Sequence, residues 1–133
     1  MKISEINIGT EITVKKIMTE ELINLFSEIS DDKNPIHLDN EYAKKSRYKK
    51  RLCYGMLAAS LFSGIFGTKL PGLGCVYKSQ SLRFLRPIHI DDLIYATAVV
   101  KDVDVKKKIV KFDTFCKVNN KKVISGSSEI FIP

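Results

Sequence analysis

Residues 55–66 (GMLAASLFSGIF) limit what this chain can fold into more than any other stretch. The segment is apolar or small at nearly every position and contains neither a charge nor a proline, so it predicts a helix with no polar stripe to turn toward water. It is too short to cross a hydrocarbon layer of about 30 Å. Such a helix must be enclosed by the rest of its own chain. Ala58, Ala59, Ser60, Ser63 and Gly64 are small enough to let a sheet backbone approach, and Lys69-Leu70-Pro71-Gly72 breaks the run into a loop.

The enclosing material follows Gly74. Residues 76–85, 93–103, 109–118 and 123–132 read as strands, separated by Pro87, Asp91-Asp92, Lys106-Lys107 and Asn119-Asn120. Alternation is clearest in the third, where Val110, Phe112, Thr114, Cys116 and Val118 share one face and Lys111, Asp113 and Lys117 the other. A further short strand is expected at 6–14. After it Thr19 caps a helix with acids in its first turn and Leu22, Leu25, Phe26 and Ile29 as its apolar face. One apolar helix wrapped by an antiparallel sheet is an α+β arrangement, the hot-dog architecture, and 133 residues suffice for one such domain. Its sheet keeps an open edge that a second copy can pair with, so a homodimer is expected.

The opening residues Met1-Lys2-Ile3-Ser4-Glu5 are not the apolar stretch of a signal peptide, and the chain is expected to be cytoplasmic and off the membrane. Cys53, Cys75 and Cys116 are widely spaced and form no ligand cluster, which predicts buried thiols in a reducing compartment, no disulfide and no metal. The net charge of +7 attracts any anionic partner. Its densest part is 44–51, where Lys44, Lys45, Arg47, Lys49, Lys50 and Arg51 surround Tyr48. Without a zinc finger, an RNP pattern or a recognition helix, this segment reads as a solvated face or a site for phosphates, and nucleic acid is not expected as a partner.

Only two histidines are present, and His37 lies five residues beyond Asp32 in the loop Asp32-Lys33-Asn34-Pro35-Ile36-His37. A carboxylate and an imidazole within reach of one water molecule can polarise it and shuttle its proton at neutral pH. The plainer alternative is that Asp32 caps the loop and His37 makes a structural hydrogen bond. His89, before the Asp91-Asp92 turn, reads as structural or exposed.

Residues 30–39 (SDDKNPIHLD), then 55–63 (GMLAASLFS), 70–74 (LPGLG), 77–84 (YKSQSLRF) and Arg86-Pro87-Ile88 resemble, in order and spacing, the motifs of MaoC-like, R-specific enoyl-CoA hydratases. The resemblance implies that Asp32 and His37 are the catalytic pair, contacting the water added to C3 of a trans-2-enoyl thioester of fatty-acid metabolism. It implies that the backbone N–H of Gly55 faces the thioester oxygen as an oxyanion donor. It also implies that Asn34, Tyr54 and Ser63 surround the substrate, with Asn34 shaping the loop and Ser63 at the acyl pocket. No cofactor is expected, because coenzyme A belongs to the substrate, and the partner is an acyl-CoA or acyl carrier protein thioester.

Two positions depart from the family pattern. Tyr54 stands where histidine usually precedes Gly-Met, and Asp91-Asp92 stands where Gly-Asp is usual. Two other functions remain open: dehydration of acyl carrier protein thioesters, and a non-catalytic acyl-thioester-binding module. Thioester hydrolysis is disfavoured, because the central helix carries no acid.

Overall fold

A computed structural model describes residues 1–133. After a short 3-10 turn at Ile3–Glu5, the elements are β1 (Glu11–Ile17), α1 (Glu20–Ser30), α2 (Pro35–Leu38), α3 (Asn40–Lys44), α4 (Gly55–Thr68), β2 (Val76–Gln80), β3 (Arg83–Phe84), β4 (Leu93–Asp104), β5 (Ile109–Val118) and β6 (Lys121–Phe131). The six strands form one antiparallel sheet in the order β1-β4-β5-β6-β2, with β3 also on β6. The strand predicted at 76–85 is divided, because the chain leaves β6 at Gln80 and returns at Arg83. The first strand lies later than expected, at Glu11–Ile17.

This sheet curves around α4 as the hot-dog architecture requires. Register shifts between Tyr77 and Ser79, Val100 and Asp102, and Cys116 and Lys117 bend the ladders, since an extra residue in one strand increases local twist. The inward positions of β5 are as the alternation predicts: Val110, Phe112, Thr114 and Cys116 are buried. On β4 the residues toward the core include Ala96 and Ala98, whose small size brings helix and sheet together. Gly126 of β6 makes the tightest approach, for a Cβ there would lie 1.8 Å from the Ser81 carbonyl oxygen.

Two helix faces differ from expectation. Helix α4 is not buried all round: Ala58, Ala59, Phe62, Ile65 and Phe66 face the sheet, while Met56, Ser60, Ser63 and Gly64 are exposed. Alanine from both sides therefore makes the close contact, and the serines and Gly64 lie on the outer stripe. Helix α1 starts at the Thr19 cap, whose side chain accepts the Leu22 N–H. Its buried face is Ile23 and Ser27, flanked by the half-buried Leu22 and Phe26, and Leu25 and Ile29 point outward. The apolar face is thus rotated by about one residue, roughly 100°, because Ser27 serves as a core position that hydropathy does not reveal.

No helix is long and apolar enough to cross a membrane. All three cysteines are free, and burial pushes the Cys53 and Cys116 thiols up to about 12, which keeps them protonated and unreactive at neutral pH.

Candidate active site

Helix α1 ends at Asp31, whose φ of 59° turns the chain sharply out of the helix. The following residues are organised by their own side chains. The Asp32 N–H donates to Ser30 Oγ at 3.1 Å, Asp32 Oδ1 accepts the Asn34 N–H at 3.0 Å, and Asn34 Oδ1 accepts the Ile36 N–H at 3.2 Å. Asn34 is the cap of α2, with Pro35 at its first position, where a missing N–H costs nothing. Asn34 thus shapes the loop through its own side chain. His37 sits in the single turn of α2, half-buried, while Asp32 is exposed.

The His37 ring is oriented from outside its own helix. Its Nδ1 lies 2.8 Å from the Leu52 carbonyl oxygen. A carbonyl only accepts, so Nδ1 carries the hydrogen, and in the neutral ring Nε2 is left with its lone pair available. Asp32 likewise has one oxygen committed to Asn34, while Oδ2 makes no hydrogen bond within the chain. The structural roles of the plainer alternative are therefore both present, and each uses only one of the two polar atoms of its side chain.

Residues 51–54 form the wall against which this loop is held. Arg51 Nε donates to the His37 carbonyl at 2.8 Å, and the same guanidinium pairs with Glu20 of α1 at 3.0 Å. The Leu52 N–H donates to the Ile36 carbonyl at 3.0 Å. The Tyr54 hydroxyl donates to the Asp32 carbonyl at 2.5 Å, and its ring stacks on His37 at 4.0 Å between centroids. Tyr54 is only 3% exposed and lies behind the loop. Burial pushes its phenol above the ordinary range, and the Asp32 charge adds to the effect.

Gly55 is the first residue of α4 and follows directly on Tyr54. The earliest intrahelical bond starts at the Ala58 N–H, which reaches the Tyr54 carbonyl, so the amides of Gly55, Met56 and Leu57 have no helical partner. Glycine leaves room here for an aromatic neighbour: a Cβ would lie 2.6 Å from two carbons of the Phe84 ring, which packs over the helix start from β3 and would have to shift. Ser63 lies two turns further along the exposed stripe of α4; its hydroxyl makes no hydrogen bond within the chain, whereas Ser60 bonds back to the Leu57 carbonyl.

The basic stretch is less uniform than it reads. Lys44, Lys49 and Lys50 line a surface depression of about 450 Å³ together with His89 and the acids Glu20, Glu41 and Asp91. The Arg51 side chain, 10% exposed, is spent on the loop. His89 is half-buried; its N–H donates to Asp92 Oδ2 at 2.8 Å, and Asp91 supplies the turn at a φ of 70°, a conformation easier for glycine. No group of three or more His, Cys, Asp or Glu side chains is arranged to hold a metal ion.

Three contacts at the site are not marked by periodicity or composition: Arg51 is masked by the lysines around it, the Leu52 carbonyl could belong to any residue, and Phe84 falls in the 77–84 motif with nothing to indicate that its ring covers the start of α4.

The MaoC like domain family matches residues 5–122. The chain is 39% identical over 129 residues to an (R)-specific enoyl-CoA hydratase of Rhodospirillum rubrum, covering 97% of this chain and 90% of that protein. It is 36% identical to a mitochondrial 3-hydroxyacyl-[acyl-carrier-protein] dehydratase of Arabidopsis thaliana, covering 96% and 78% of the two chains. Among solved structures, the (R)-hydratase from A. caviae involved in PHA biosynthesis superposes with a TM-score of 0.94 at 30% identity, covering 96% of this chain and 98% of that one. By the family match, the relatives and the shared fold, this chain belongs to the MaoC-like domain family.

Proposed function

We propose that this protein is an R-specific enoyl-CoA hydratase, a carbon-oxygen lyase that reversibly adds water to trans-2-enoyl-CoA and gives R-3-hydroxyacyl-CoA. The observation that carries this reading is the free half of each side chain: an Nε2 lone pair on His37 and an unbonded oxygen on Asp32, in a loop braced against the start of a helix with free amides. A water between them loses a proton to His37 or Asp32 as its oxygen bonds to C3. Electron density moves through C2 to the thioester oxygen, which the Gly55 N–H and the α4 dipole stabilise as an enolate. The proton then returns to C2, which closes the balance without a cofactor. Ser63, with its hydroxyl free, is suited to a contact along the acyl chain.

Lys44, Lys49 and Lys50 suit the phosphates of coenzyme A, as charge-assisted donors beside the loop. A second copy of the chain is the occupant we assign to the open sheet edge, where Val76, Tyr77 and Phe84 are exposed. The helix α4 carries no carboxylate with which to drive hydrolysis.

Crotonyl-CoA provides the test. Hydration removes the conjugated absorbance and releases no thiol, and Asp32→Asn or His37→Gln should each lower kcat by about 10²- to 10⁴-fold in a folded protein. Thiol release would indicate hydrolysis. Binding without turnover would indicate a binding module, and turnover confined to acyl carrier protein thioesters would reassign the carrier.

A further inference from the structure

We propose that Tyr54 is a positioning residue that fixes Asp32 and His37 relative to one another, an inference that rests on the reaction assigned above. Its one side chain touches both: the hydroxyl donates to the Asp32 carbonyl, and the ring lies on the His37 imidazole at 4.0 Å with 30° between planes. Phe26 of α1 supports the same ring from its own side, 4.8 Å away and tilted by 46°. Tyr54 therefore stands between α1 and α2, the two helices that flank the Asp32 loop. Its backbone leads directly into Gly55, so the carboxylate, the imidazole and the helix amides all refer to one buried residue.

The two contacts do different things. An imidazole has two torsions to be set. The Leu52 carbonyl fixes where Nδ1 points, and stacking on Tyr54 fixes the plane, which together determine the direction of Nε2. For Asp32, the Asn34 N–H limits the carboxylate while the Tyr54 hydroxyl anchors the peptide that carries it. Phenylalanine would preserve the stack and lose the anchor; leucine would lose both. A buried phenol also needs an acceptor, so the bond serves the tyrosine as well as the loop. Since the phenol stays neutral, Tyr54 braces His37 without placing a second titrating charge against it, which a histidine at this position would do.

The test uses Tyr54→Phe and Tyr54→Leu in the full chain, with crotonyl-CoA as probe. Expected are a kcat lowered about tenfold in Tyr54→Phe and about hundredfold in Tyr54→Leu, with KM within about twofold, since small displacements of reacting groups act on the chemical step. Circular dichroism at the assay temperature confirms that each variant is folded. A Tyr54→Phe enzyme with wild-type kcat, or one altered in KM alone, overturns the proposal. NMR provides a readout apart from turnover. Tyr54→Phe should shift the Lys33 amide, which shares the Asp32 peptide, and Tyr54→Leu should remove the ring-current shift of the His37 imidazole, assigned with the help of His89→Gln. Unmoved signals overturn the positioning role even if the wild type is active; moved signals with an inactive wild type uphold it and refute the reaction instead.

Discussion

In β4, β5 and β6 each strand is held by backbone ladders to its neighbours, whereas between Asp31 and Tyr54 short helical turns are fastened to one another and to the wall by side chains gripping backbone atoms. The ladder region repeats one interaction along its length, so losing a single side chain is shared among many bonds. The loop has no such redundancy. Arg51, Leu52 and Tyr54 each make a different contact with residues far away in sequence, and each contact constrains one degree of freedom of the Asp32–His37 pair. Rigidity at a site without extended ladders comes from specific partners, supplied by a segment that is itself tied into the core through Cys53 and Ile88.

That contrast can be broken or sharpened by substitution. The largest effect belongs to the tightest glycine contact of the ladder region. Gly126→Ala drives a Cβ into the Ser81 carbonyl and should cost about 3 kcal/mol or more, as read by urea melts, because neither backbone can yield without opening β6. Next is Arg51→Ala in the loop wall. It should lower stability by about 2 kcal/mol, mainly through the bond to the His37 carbonyl, since the Glu20 end is exposed and contributes little. Its kcat should fall more than an equally destabilising sheet substitution would produce. Smaller still is Ile23→Val on the buried face of α1, at about 1 kcal/mol. Ile29→Lys on the outer face should stay within about 0.5 kcal/mol of wild type, the reverse of what the hydropathy of α1 alone suggests.

How much of this was legible follows the same division. The apolar run of α4 and the alternation of β5 predict an enclosed helix and a wrapped sheet, because periodicity reports directly on burial. Periodicity misplaces the face of α1, since the buried position is Ser27 and the isoleucine it promotes, Ile29, is 79% exposed. It also overstates the burial of α4: a single chain leaves one side of that helix open, and sequence does not distinguish a face covered by its own sheet from one left bare. At the site, Asp32, Asn34 and His37 were legible as a motif, and so was the departure at Tyr54. Their mutual bracing was not, because a hydrogen bond to a carbonyl such as that of Leu52 can be made by any residue and leaves no trace in residue type.

In the proposed reaction Asp32 and His37 act on one shared water, and a double-mutant cycle on crotonyl-CoA hydration tests this most directly. If the two side chains work as a unit, Asp32→Asn/His37→Gln should lose no more kcat than the worse single variant, because either substitution alone already disables the pair. Losses that multiply, or a kcat close to wild type in either single variant, would contradict it.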